Sequence, residues 1–281
     1  VVIFTAFPQF RGRCVAFLAE GWDFQVFEVG AEWLFRFPKR EESATRLTKE
    51  YHLLSDLVQW VSLPIPNYRY FCESHGDSGW PLAGYDKIPG TPADVTEAID
   101  WPTVARQLGI FLGELHTYPV GRALEAGVPR EKRSPAQWRD RALASLDGIA
   151  NLPVDQRDLR EYLSDLPKCT SGTPRLVHND LWAEHILIDP HTLGVSGVID
   201  WGDAAIGDPA IDLALVYAWR GEQGLREVVA HYPVTLTPCI VDRVRYLATC
   251  LAIRNLELGQ YMEHPRWVEA GRKALRWTFA T

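Results

Sequence analysis

The sequence is poor in sulfur. It has one methionine and five cysteines (Cys14, Cys72, Cys169, Cys239 and Cys250), which are odd in number, scattered and without a CxxC pair. That pattern argues against a structural zinc site and favours a reducing compartment. No apolar run is long enough to span a bilayer. The short apolar stretch in VVIFTAFPQFRGR has no basic flank before it and no small-residue cleavage site after it. The expected location is therefore the cytoplasm, with no membrane partner. A basic excess is also missing: 29 Lys and Arg stand against 36 Asp and Glu, a formal net charge of -7. No nucleic-acid partner is expected, because backbone phosphates are usually met by a basic patch. Internal repeats and low-complexity segments are absent, as is any HExxH pattern.

What is present is ordinary for a soluble globular enzyme: 281 residues, 47% hydrophobic and 23% charged, enough for one large domain or two lobes sharing a cleft. The first part reads as strands. FQVFEV (24–29) and EWLFRF (32–37) are aromatic and β-branched, with Gly30-Ala31 as a tight turn between them. In the second run Trp33, Phe35 and Phe37 share one face, Leu34 and Arg36 the other. Leu47, Tyr51, Leu54 and Val58 recur at helical spacing, and short strands are expected around 68–73 and 82–87. IPGTP (88–92) is a proline-glycine break and the best linker candidate. Beyond it the pattern is helical, with stripes through Val104–Leu115, Trp138–Ile149 and Val244–Leu258. A β island interrupts the helices: RLV (175–177), HILI (185–188) and VSGVI (195–199). The expectation is an α+β chain with a small strand-rich lobe, 1–88, and a larger helical lobe, 89–281, enclosing a small-molecule cleft.

The chemistry is concentrated in VHNDLWAEHILID (177–189) and GVIDWGDAAIGDPAIDLA (197–214). Phosphoryl transfer needs a carboxylate to orient and deprotonate the attacking hydroxyl, and metal ligands near the β- and γ-phosphates. The kinase catalytic loop H-R-D-x-x-x-x-N is followed by a hairpin and the Asp of D-F-G. His178, Asp180 and His185 keep that spacing, with His185 at the Asn position. Asp200 ends an apolar strand and precedes Trp201-Gly202.

With these segments the sequence resembles the aminoglycoside phosphotransferase superfamily, and most closely the macrolide phosphotransferases and aminoglycoside 2″-phosphotransferases. The resemblance rests on HxDxxxxH…IDWG…GDPAxDLA, together with LFRFPKR, KEYHLL and YDKIPG. It implies a protein-kinase-like bilobal fold and transfer of the γ-phosphate of ATP or GTP, with Mg²⁺, to a hydroxyl of a small molecule such as an aminoglycoside or macrolide. It further implies that Asp180 is the base, that His185 and Asp200 are metal ligands, and that His178 braces the loop. Arg36 and Glu50 take the places of the phosphate-contacting lysine and its helix partner. Gly21 and Trp22, in EGWDF, belong to the turn over the phosphates. Tyr85, Asp86, Lys87 and Ile88 offer backbone groups to the base. A monomer is expected. The sequence departs from the kinase pattern in several places: His185 replaces Asn, Arg36 replaces Lys, Asn179 replaces the Arg of H-R-D, and GxGxxG and A-P-E are missing. The Asn179 replacement and the missing A-P-E argue against a regulated protein kinase.

Other readings remain open at this stage. A metal-dependent phosphohydrolase would need a further ligand at helical spacing, which the sequence lacks. An inactive kinase-like binding protein would not be expected to retain both Asp180 and Asp200. A kinase of another small metabolite, an amino alcohol or sugar, is the alternative to an antibiotic kinase. A cationic acceptor would need carboxylates, for which Asp203, Glu114, Glu257 and Glu263 are candidates, whereas a macrolide would need a broad apolar wall. Asp208-Pro209 reads as a helix start, and Asp212 as a brace from that helix.

Overall fold

The computed structural model describes residues 2–76, 79–169 and 172–279. After a short helix α1 (Val2–Ala6), five antiparallel strands follow: β1 (Val15–Glu20), β2 (Phe24–Val29), β3 (Trp33–Pro38), β4 (Tyr68–His75) and β5 (Trp80–Asp86), ordered β1-β2-β3-β5-β4. Gly30 and Ala31 both have φ of 62°, the backbone a two-residue hairpin requires. Strand alternation sends the aromatic face of β3 outward, where Phe35, Val29 and Leu82 pack with Ile3, Phe7 and Phe10 in a core of their own. The apolar start of the chain therefore serves as the cover of this sheet. Leu34 and Arg36 face the other way, toward helix α2 (Glu41–Leu57), whose first turn carries Glu41 and Glu42 as its dipole favours.

The chain crosses over at residues 87–92. The stretch read as a linker is partly paired, because β6 (Thr91–Pro92) joins β8 (Ile186–Ile188), which pairs in turn with β9 (Val195–Val198). A second small ladder joins β7 (Arg175–Val177) to β10 (Ala205–Gly207). Around these lie helices α3 (Trp101–Thr117), α4 (Val120–Glu125), α5 (Pro135–Leu146), α6 (Gln156–Ser164), α7 (Ala210–Val229), α8 (Pro238–Tyr261) and α9 (Pro265–Phe279). Their starts are chemically marked: Ser134 and Gln137 form a capping box for α5, Asp155 caps α6 and Thr237 caps α8. Asp208 accepts from the N–H of Ala210 at the start of α7, as its Asp-Pro context indicated, and pairs with Arg243.

The cysteines hold one surprise for the sequence reading. Cys169 and Cys239, 70 residues apart, are bonded to each other, while Cys14, Cys72 and Cys250 are free. Distance along the chain hid their proximity in space. Among the described residues no helix is long and apolar enough to cross a membrane.

Candidate active site

The β8–β9 hairpin builds half of the site. Its register pairs Ile186 with Val198, and the N–H of Ile199 continues the ladder by donating to the His185 carbonyl at 2.9 Å. His185 and Asp200 consequently meet at the open end of the hairpin, with His185 Nε2 3.7 Å from Asp200 Oδ2. Asp200 stands in the left-handed region at φ 64°, which turns its half-exposed carboxylate into the cleft.

The other half is the loop after β7. His178 is fully buried against the Trp201 ring, 4.6 Å between centroids. Its Nδ1 accepts from the Asp180 N–H at 3.3 Å and its Nε2 donates to the Ile199 carbonyl at 3.1 Å. Burial lowers its pKa to about 4, so it works as a neutral spacer between loop and hairpin. Asp212, buried on the first turn of α7, accepts from the N–H groups of His178 (2.9 Å) and Asn179 (2.8 Å) and from His116 Nε2 (3.1 Å). Asn179 is held at φ 68°, and its Nδ2 donates to the Asp203 carbonyl. These anchors present Asp180, whose side chain keeps about a third of its surface exposed (32%).

The electrostatics are those of crowded carboxylates. Burial raises Asp180 to about 7; Asp203, Asp200 and Glu184 add to this, and His185 opposes it. Burial would lower His185, but Asp180, Asp200 and Glu184 outweigh it and lift the imidazole to about 9. Burial would likewise raise Asp200, yet Arg36 and His185 hold it below its ordinary value. His185 Nδ1 donates to the Asp180 carbonyl at 2.6 Å, which leaves Nε2 facing Asp200 and Glu184. An imidazole fixed by one N–H on a backbone carbonyl, with its other nitrogen directed at a carboxylate, has the form of a metal-ligating histidine. Among the described residues no cluster of three or more His, Cys, Asp or Glu is arranged to hold a metal. An ion held by the pair at 185 and 200 would draw its remaining ligands from phosphates and water, as Mg²⁺ does, and would displace the proton that the carboxylates keep on His185.

From the sheet, Arg36 enters the same cleft. Its Nη1 donates to both Glu50 oxygens (2.6 and 2.9 Å) and to the Tyr68 hydroxyl (3.0 Å), while Nη2 reaches Asp200 Oδ1 at 3.3 Å. The guanidinium also lies 3.9 Å from the Phe24 ring centroid. Arg36 and Glu50 are buried, and the pairing expected from their positions is present. Two residues the sequence reading passed over join α2 to the turn after Asp200: Lys49 donates to the Gly202 carbonyl at 2.5 Å, and Arg46 pairs with Asp203 at 2.7 Å. Only their helical phase relative to Glu50 could have flagged them. Gly21 and Trp22 form the β1–β2 turn; Lys39 donates to the Gly21 carbonyl and Arg40 to that of Trp22. At the crossover Tyr85 is buried, Asp86 pairs with Arg69, and the Lys87 N–H is already given to the Glu32 carbonyl. Ile88 alone of the four has both its N–H and its carbonyl without a hydrogen-bond partner among the described residues.

A cavity of about 730 Å³ opens beside the loop that carries Asp180, lined by Trp182, Ala183 and Glu184 on one wall and by residues of 93–101, α7, α8 and α9 on the others. The carboxylates it gathers are Asp94, Glu97, Glu184 and Glu269. Asp203, Glu257 and Glu263 are not among its lining. Glu257 lies near Arg254 on α8, and Glu263 is exposed in the turn between α8 and α9. Glu114 accepts from the Ser62 N–H and ties α3 to the segment after α2.

Comparison with known proteins agrees with this architecture. A family described as "APH: Phosphotransferase enzyme family" matches residues 15–234. Viomycin phosphotransferase of Streptomyces vinaceus is 33% identical over 161 residues, 53% of this chain and 54% of that enzyme, so the match spans about half of the relative's length. The structure of the GDP and kanamycin complex of APH(2″)-IIIa superposes with a TM-score of 0.77 at 30% identity, covering 99% of this chain and 97% of that one. Macrolide 2′-phosphotransferase MphH from Brachybacterium faecium, as apoenzyme, gives 0.65 at 25% identity, covering 93% and 91%. The kinase-like α+β fold expected from the sequence is thereby borne out.

Proposed function

The chain belongs to the phosphotransferase enzyme family, and from that premise we propose that it moves the γ-phosphate of ATP or GTP onto a hydroxyl of a small molecule, with antibiotics of the kinds its relatives phosphorylate as the first candidates. The observation that carries this reading is the convergence of Asp180, His185, Asp200 and the Arg36–Glu50 pair on one cleft. Residues 1–88 serve as the nucleotide lobe and 89–281 as the lobe of the catalytic loop, metal and acceptor. In this division the unpaired N–H and carbonyl of Ile88 meet the base, and the turn at Gly21 and Trp22 lies over the phosphates. His185 and Asp200 would hold Mg²⁺, which when bound neutralises phosphate charge. The acceptor occupies the cavity beside the catalytic loop. Its hydroxyl proton passes to the Asp180 carboxylate as its oxygen forms the new bond to phosphorus and the bridge to the β-phosphate breaks. Arg36, fixed by Glu50 and Tyr68, presents fixed positive charge toward the same phosphates. A reaction that consumes nucleotide favours the cytoplasm, while the Cys169–Cys239 bond removes the cysteine pattern as support for a reducing compartment.

The test compares two variants, first screening the parent with ATP and GTP over aminoglycosides, macrolides and small amino alcohols. Asp180→Asn should lower turnover by roughly 10²–10⁴-fold and leave Mg²⁺–nucleotide affinity near that of the parent. Asp200→Ala should weaken that affinity and turnover together. Near-parent turnover in the first variant, or parent-like Mg²⁺–nucleotide binding in the second, would sink the assignment.

A further inference from the structure

The β1–β2 turn is the tip of a hairpin whose first strand is the exposed edge of the sheet. Its last residue, Asp23, is tied to the start of α2. Asp23 Oδ1 accepts from Arg40 Nη2 at 2.7 Å and from Ser43 Oγ at 2.8 Å, and Oδ2 lies 3.3 Å from Arg46 Nη1. The same nitrogen of Arg46 donates to Asp203 Oδ1 at 2.7 Å. Asp203 belongs to the other lobe and follows Asp200 by three residues. Its backbone is fixed. The Asp203 carbonyl accepts from Asn179 Nδ2 at 3.1 Å, and Lys49 donates to the carbonyls on either side, Gly202 (2.5 Å) and Ala204 (3.3 Å). Among the described residues Arg46 is the one side chain that pairs with both Asp23 and Asp203. Helical spacing accounts for the arrangement. Ser43, Arg46 and Glu50 recur at intervals of three and four, so one face of α2 meets the turn, the Asp203 segment and Arg36 in succession.

We propose that Arg46 is a positioning residue for the phosphate donor: it clasps the β1–β2 turn to the fixed Asp203 segment and so holds the turn in place over the phosphates. The proposal rests on the reading of this turn as the one that covers them. The other ties on the turn, from Lys39, Arg40 and Ser43, come from its own lobe and cannot set its height above the cleft. Arg46 refers it to the opposite lobe. From Asp203 the path runs through Asn179 to the neighbouring Asp180, so the donor turn and the base share one frame. A planar guanidinium with several N–H groups suits a post between two carboxylates better than a compact ammonium does. The Arg46 and Asp203 side chains are 38% and 48% exposed. Solvent screens such a pair, so the fold gains little from it. Its effect falls on the placement of the turn, and therefore on ligands that carry phosphates.

The experiment measures binding by titration calorimetry at fixed ionic strength. The probes are Mg²⁺–ADP and Mg²⁺–GDP, with adenosine and guanosine as controls that lack phosphates. Arg46→Gln and, independently, Asp203→Asn should each weaken the nucleotide by about three- to tenfold. Arg46→Lys, which keeps the charge and one partner, should lose less. Nucleoside affinity should stay within about twofold of the parent, and the ligand-free Tm within about 2 °C, which a general loss of structure would not allow. The double variant Arg46→Gln/Asp203→Asn separates a clasp from a simple field. With a clasp it should match Arg46→Gln, because the bridge is already broken. If Arg46 acted only through its charge, or touched the phosphates directly, Asp203→Asn would not weaken the nucleotide. In a pure field the double variant, whose charge changes cancel, would return to the parent. Unchanged or tighter nucleotide binding by Asp203→Asn, a double variant restored to the parent, or equal weakening of nucleoside and nucleotide overturns the proposal. Parent-like binding by Arg46→Gln overturns it too, while the phosphotransferase reading stands. A parent that binds neither nucleotide overturns that reading and the proposal with it.

Discussion

Asp212→Asn isolates the support of the catalytic loop from its chemistry. In the parent, Oδ2 of Asp212 accepts from the His178 N–H and from His116, and Oδ1 accepts from the Asn179 N–H. The amide has one acceptor oxygen. In its better orientation it keeps the first two bonds and turns an NH₂ toward the Asn179 N–H. One charge-assisted bond is lost and a buried donor is left facing a donor, a cost of about 2–4 kcal/mol. For 281 residues the unfolding entropy near the melting temperature is about 0.6 kcal/mol/K, so the apparent Tm should fall by about 3–7 °C. The same change frees residues 178–179 and lets Asp180 drift; a displacement of about 1 Å can cost about 10²-fold in turnover. Thermal melts and steady-state transfer assays on the same preparation measure both effects, and nucleotide affinity should change little. A variant that melts within about 1 °C of the parent and turns over at a similar rate would refute the view that Asp212 holds the loop.

Two further perturbations probe the cleft. Because burial raises Asp180 to about 7, its carboxyl is protonated and inactive as a base at lower pH; kcat/KM should climb as pH rises toward about 7 and level above it, and Asp180→Asn should abolish the profile. The same shift has the opposite sign for stability: the folded state holds this proton more tightly than the unfolded chain, so the Asp180 contribution falls as pH rises from about 4 to about 7, while His178, lowered to about 4, contributes a rise over much of the same range; the Asp180 part is read as the difference between the denaturation profiles of the parent and Asp180→Asn. Arg36→Lys should be far from conservative, because an ammonium cannot serve Glu50, Tyr68 and Asp200 at once; a loss of about 2–3 kcal/mol in urea unfolding and a higher KM for nucleotide are expected, and parent-like values would show that the fork geometry is dispensable.

Much of this arrangement was legible before the structure. Period-two alternation in WLFRF located Arg36 on the face opposite Phe35, and the spacing of His178, Asp180, His185 and Asp200 fixed the order of loop and hairpin. Local signals of this kind survive because strand pleat and turn chemistry are set by near neighbours. What was hidden depends on contacts between distant segments. Cys169 meets Cys239 only after α8 is in place, and Thr91–Pro92 reads as a break until β8 offers it a partner. The cavity wall is hidden for the same reason: Trp101, Arg220 and Lys273 come from three helices, and no spacing rule joins them. Glu257 and Glu263 drew attention as carboxylates on a C-terminal helix, but helical phase and the turn after α8 leave them outside the cavity.

Asp200 shows how two unrelated requirements narrow a position to one amino acid. Its backbone sits at φ 64°, a conformation that admits glycine readily, asparagine and aspartate at modest cost, and longer or branched side chains at about 1–2 kcal/mol. Its side chain must be a carboxylate to meet the Arg36 guanidinium at 3.3 Å. The first condition favours Gly, Asn and Asp, although the chain accepts Ala31, Leu193 and Glu263 in the same region elsewhere; the second leaves Asp and Glu. Aspartate is the residue that meets both at least cost. Asn keeps the turn and forfeits the charge, while Glu keeps the charge and strains the turn. In a saturation library aspartate should therefore rank first at this position and glutamate should be the mildest loss among the charge-keeping changes.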